Sequence, residues 1–169
     1  YANTLSSITQ STTPRQAAKA FVDGYANEMV TKKKTYTMSV SDLSKSAMLK
    51  SAIDGLATEL ELGIPLNAAK LLLIREGLVK KFSHGYIDLY DFARLISNNF
   101  EEAPIKAAAQ EVMSVIEYQY IVHNKSSIPK AHGVSIFFPD MKSSYYNGDN
   151  YDFAINTEWS TGIFSTDTV

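Results

Sequence analysis

Cysteine is absent from all 169 residues. That excludes a disulfide, a thiolate metal site and a cysteine nucleophile supplied from within this chain. Neither sign of charge is in excess: 16 basic residues face 18 acidic ones, for a net charge of −2. The only basic run, Lys32-Lys33-Lys34, is short and reads as a solvated turn after a helix. No electrostatic footprint for nucleic acid exists at that balance. Apolar runs of the roughly 20 residues that span a bilayer are missing, as is a signal peptide. Low-complexity tracts, internal repeats and interdomain linkers are missing too. The chain begins at Tyr1 rather than Met, so it reads as a piece of a longer product, and an upstream targeting signal stays open.

What remains is an ordinary globular composition, 45% hydrophobic and 20% charged. The length favours one domain, or one lobe of a larger one. Along it, Thr13, Pro14 and Gln16 form a helix start with a capping box. Ala17, Ala18, Phe21, Val22, Tyr25 and Met29 then share one helical face. Residues 35–40 alternate, with Tyr36, Met38 and Val40 on one side, and predict a half-buried strand. Ser41 or Asp42 caps a second helix faced by Leu49, Ile53, Leu56 and Leu60, which Gly63 and Pro65 stop. A third helix is expected over 67–82, broken by Gly85. A fourth runs from Asp88 to about Ser97, with Leu89, Phe92, Ala93 and Ile96 inward. Pro104 opens a fifth. Residues 118–122 are ambiguous between helix end and strand, and 124–130 read as a loop. Residues 133–138 are a compact β-branched and aromatic run closed by Pro139, a buried strand. An aromatic segment from Tyr151 to Trp159 follows a polar stretch, and residues 165–169 fray.

The resulting class is α/β and helix-rich, with a few strands far apart in sequence. Isolated strands rarely make a stable sheet, so they are expected to complete a sheet whose other strands lie upstream. Candidate site residues are few. His84, His123 and His132 have no cysteine to activate. Ser135 lacks the glycine two residues on that a nucleophile elbow needs, since Phe137 stands there. Asp88 and Asp91 can pair, but capping and helix-dipole stabilisation account for both. Asn147, Asp149, Asn150 and Asp152 form an oxygen-rich turn without an EF-hand pattern. Asn124-Lys125-Ser126 is a glycosylation sequon, a tripeptide common by chance.

Four stretches resemble the clostripain family of cysteine peptidases. They are Ala131-His-Gly-Val-Ser-Ile-Phe-Phe-Pro139, Tyr86-Ile-Asp-Leu-Tyr-Asp-Phe-Ala93, Tyr36-Thr-Met-Ser-Val-Ser-Asp-Leu43 and the closing Tyr151 to Trp159 segment. Their order along the chain also agrees with the family. The resemblance implies the C-terminal portion of a caspase-like three-layer α/β sandwich, residues 1–169 forming a single lobe. The catalytic histidine and cysteine are then expected upstream of Tyr1, so no catalytic, cofactor-binding or metal residue is assigned here. It further implies an endopeptidase with a preference for Arg or Lys; no cofactor is expected for this chain, although peptidases of the family can be calcium-dependent. The expected partners are the upstream catalytic half and a peptide or protein substrate. The compartment is unknown from the residues, and the resemblance alone favours an extracellular or cell-envelope one. Two departures stand out. Tyr1 is followed by Ala2 and Asn3 where the family has aspartate after an aromatic, so no specificity-pocket residue is carried over. Ser160, Thr161 and Gly162 separate Trp159 from Ile163 and Phe164, where the family places the apolar pair sooner. An independent helical binding module and a lobe of a pseudoenzyme are the alternatives. If the chain folds alone, an exposed apolar patch is expected where the upstream half docks.

Overall fold

The computed structural model describes Thr9 and residues 12–138, with all side chains there except those of Ile64, Pro65 and His84. Helix α1 (Pro14–Thr31) begins at the expected capping box. The Thr13 side chain accepts from the Gln16 amide at 3.3 Å, and Gln16 Oε1 accepts from the Thr13 amide at 2.9 Å. Strand β1 (Thr37–Ser41) follows. It pairs antiparallel with β3 (Ile121–Ser126), from Thr37 opposite Ser126 to Ser41 opposite Ile121. Residues 124–126, read from the sequence as loop, thus belong to β3, because they have β1 to pair with. The ambiguous stretch before them resolves into a π turn, Ile116–Tyr120, that hands over to the strand. Helix α1 lies against this strand pair.

Asp42 caps a short 3-10 turn, its Oδ1 accepting from the Ser44 amide at 3.1 Å. Helix α2 (Ser46–Leu73) then runs for 28 residues, straight through Gly63 and Pro65. The sequence reading stopped it there and began a separate helix at Asn67. Two observations explain why it continues. Leu49, Leu56, Leu60 and Leu71 form one buried face, which Ile74 in the following turn extends. Keeping that face continuous outweighs the roughly 3 kcal/mol that an interior proline costs. Gly63 also has a packing role, since a Cβ there would fall 2.7 Å from Ile105 Cδ1. Its missing side chain lets a later helix come close. Asn67 is buried and donates to Glu102 Oε1 at 2.6 Å on that neighbour, which lowers the Glu102 pKa. After Leu73 a π turn, Ile74–Leu78, ends the helix, so residues 79–82 are not helical as expected. Lys81 instead makes a bridge to Ile87.

Strand β2 (Tyr86–Asp88) leads directly into α3 (Leu89–Asn99), and α4 (Ala103–Val115) starts with Pro104 in its first turn. Strand β4 (Ser135–Phe137) returns antiparallel to β2, with Ile87 opposite Ile136. The architecture is α/β and helix-rich, with the antiparallel strands of the described residues in two small sheets. Helix α4 sits between α2 and α3. The core fills the space among them with Leu56, Leu60, Phe92, Ile96, Phe100, Val112 and Ile116. Leu89, Phe92, Ala93 and Ile96 all point inward, as their period foretold. Phe92 meets Phe138 edge-on at 5.5 Å between ring centres, which ties β4 to the helices. Phe92→Ala should lower the unfolding free energy by about 3–5 kcal/mol in urea titration. A loss under about 1 kcal/mol would mean that Phe92 is not packed in a closed core.

Candidate functional site

Asp88 is the last residue of β2 and the cap of α3. Its backbone is extended, and its Oδ1 accepts from the Asp91 amide at 2.9 Å. The β2–β4 pairing sets Asp88 opposite Ser135, and Leu89 N–H donates to the Val134 carbonyl at 3.0 Å. That register delivers residue 132 to the same carboxylate. His132 N–H donates to Asp88 Oδ2 at 2.7 Å, and His132 Nδ1 lies 2.8 Å from Asp88 Oδ1. Asp88 is fully buried. A buried carboxylate is tolerable only when donors surround it, and here three do.

Asp91, one turn along α3, is equally buried. Its Oδ2 accepts from the Lys80 amide at 2.8 Å, and its Oδ1 accepts from Arg94 Nη2 at 2.5 Å. Lys130 Nζ lies 4.0 Å away. Arg94 and Lys130 thus supply positive charge, and His132 hydrogen-bond partners, to two acids that have left water. The His132 ring stacks on Tyr90, with ring centres 4.4 Å apart and planes 28° off parallel. Tyr90 Oη donates to Glu117 at 3.2 Å. The Asp88 hydrogen bond raises the His132 pKa above its ordinary value, against partial burial, and the Asp91 charge adds to the rise. Burial, then Glu117, pushes the Tyr90 phenol up.

A carboxylate that holds a histidine through Nδ1 is the orienting half of a catalytic triad. A triad also needs a nucleophile. The chain has no cysteine, and Ser135 sits in paired strand geometry opposite Asp88. What the pair does here is position backbone. It fixes the start of α3 and the entry to β4 with one side chain. Beside it an open cleft of about 260 Å³ runs between β1 and β4, with Ser39, Asp88, Gly133 and Ser135 on its walls. Ser39 Oγ donates to the Gly133 carbonyl at 3.1 Å. Gly133 has φ +94°, and a Cβ there would fall 2.7 Å from Ser39 Cβ. Only glycine suits both the conformation and the approach.

The other sequence candidates scatter. His123 is on β3, its Nε2 2.8 Å from Asp23 of α1. His84 lies in the 3-10 turn Ser83–Gly85 that precedes β2, not at a helix end, because the third helix stops well before it. The Asn124 amide nitrogen donates to the Ala131 carbonyl at 2.9 Å, so the sequon nitrogen is engaged in the fold. Tyr1 to Asn3, the acidic turn at 147–152 and the Tyr151 to Trp159 segment lie outside the described residues. Among the described residues no group of three or more acidic or histidine side chains is placed to hold a metal ion. The sequence shows Asp88 as a helix cap but does not join it to His132. It also leaves Tyr90, Arg94 and Lys130 unmarked. The available signal was that two of the resembling stretches, 86–93 and 131–139, each carry a polar residue beside a strand.

These features define a helix-rich α/β unit in which two sequence motifs close on each other through a buried acid and a histidine. The chain matches the family model described as the clostripain family over residues 1–166, and it belongs to that family of cysteine peptidases. No curated protein matches it.

Two outcomes test the Asp88 contact. Asp88→Ala removes a cap and strands buried donors, so it should cost about 3–5 kcal/mol in denaturant unfolding. Because the His132 pKa is raised on folding, its contribution is fully present below its unfolded pKa of about 6.5. It is lost as pH rises through the higher folded value. The urea midpoint should therefore fall across that window, and His132→Gln should flatten the slope. An unchanged slope in the variant would disconnect His132 from the effect.

Proposed function

We infer that this chain is the non-catalytic C-terminal lobe of a clostripain-family cysteine endopeptidase that cuts after Arg or Lys. The observation that carries the reading is family membership over nearly the whole chain joined to the absence of any thiol in it. The nucleophile and its histidine then belong to another part of the protein. Both two-stranded pairs are marginal on their own. They gain by continuing into a sheet that the catalytic half provides, within a caspase-like layered core. The lobe's task is to hold strand β4 and the open cleft beside it in a fixed frame. The basic-residue preference rests on the resemblance alone, and no specificity-pocket residue is assigned to this lobe. Calcium, where the whole enzyme uses it, is assigned to no residue of this lobe.

The test is a fluorogenic peptide assay on the full-length gene product with Arg or Lys before the scissile bond. Cleavage that a thiol alkylator abolishes is expected, although this lobe offers no thiol to alkylate. A product inert to every basic-residue peptide would point to a pseudoenzyme or an independent binding module instead.

A further inference from the structure

Helix α2 is apolar on two sides. Its inner side packs into the core through Leu49, Leu56, Leu60 and Leu71. Its outer side carries Leu62, Leu66 and Leu73, which remain 74%, 86% and 61% exposed. With Ala69, also exposed, they recur at steps of four, three and four and so form one stripe. A helix that is apolar all round is a buried helix, and a stripe of exposed leucines marks an interaction face. The stripe extends about 16 Å along the axis, at 1.5 Å per residue.

The place where the described chain ends says what covers it. Phe138 is buried, and its ring lies 5.5 Å from the Arg75 guanidinium, in the turn that ends α2. The described chain therefore ends beside the C-terminal end of the striped helix. The polar stretch 139–150 reaches roughly 40 Å when extended. That is ample to pass around a helix about 10 Å across. Beyond it come Tyr151, Phe153, Ile155, Trp159, Ile163 and Phe164, a dense apolar set that itself needs a surface to bury against. We propose that residues 151–164 of this chain dock on the outer face of α2 and cover Leu62, Leu66 and Leu73. This does not rest on the peptidase reading, since both surfaces are internal to the chain.

The sequence supplies a clean probe. Trp159 is the only tryptophan, and there is no native cysteine to interfere with labelling. A tryptophan-quenched bimane label is placed by Leu66→Cys in the 169-residue chain, and by Met48→Cys as a control at an exposed site on the same helix. The expected result is loss of bimane emission at position 66 and normal emission at position 48, unchanged on dilution. Trp159→Phe should restore the emission at 66. Full emission at both positions would overturn the proposal and leave the face to the catalytic half. Quenching at 66 that disappears on dilution would also overturn it, in favour of a second copy of the chain.

Discussion

The structure turns on one buried carboxylate. Asp88 caps α3, receives the backbone of residue 132 and holds the His132 ring, all from a buried position. Each partner alone could be replaced by solvent at the surface. Inside, the charge makes each of them obligatory, because an unpaired buried carboxylate is far more costly than any single hydrogen bond is favourable. The pairing of β2 with β4, the start of α3 and the stacking of Tyr90 on His132 all follow from satisfying that one group.

Much of this was legible in residue order. The capping box at Thr13, the caps at Asp42 and Asp88, the alternation at 35–40 and the compact run at 133–138 are local signals. Local chemistry settles them whatever the remainder of the chain does. The inward face of α3 was equally readable, because four of its positions repeat with helical period. The α/β, helix-rich class follows from these elements. Family membership was carried by short stretches of unusual composition, and two of these are the segments that Asp88 joins.

The rest depended on tertiary context. Gly63 and Pro65 carry strong stop signals, yet α2 passes through them because the buried leucines on either side need one continuous face. Local propensity is a weak prior against burial of that extent. The Asp88–His132 contact was hidden for a different reason. Its partners are far apart in sequence, and an aspartate at a helix start already has a sufficient local explanation. Nothing in the residue string says that the same carboxylate also serves a second segment.

The strand registers carry a consequence for the order of assembly. Thr37 pairs with Ser126, and Tyr86 pairs with Phe137, so both sheets close only across long loops that contain helices. Packing of α3 on α4 needs only a short turn between them. Loop-closure entropy then favours the helical hairpin as the early event and both sheets as the late one. Interactions that form after the rate-limiting barrier act on the escape from the native state rather than on the approach to it. Closing with the β2–β4 pair, the acid–histidine contact is expected to act on the unfolding rate more than on the folding rate.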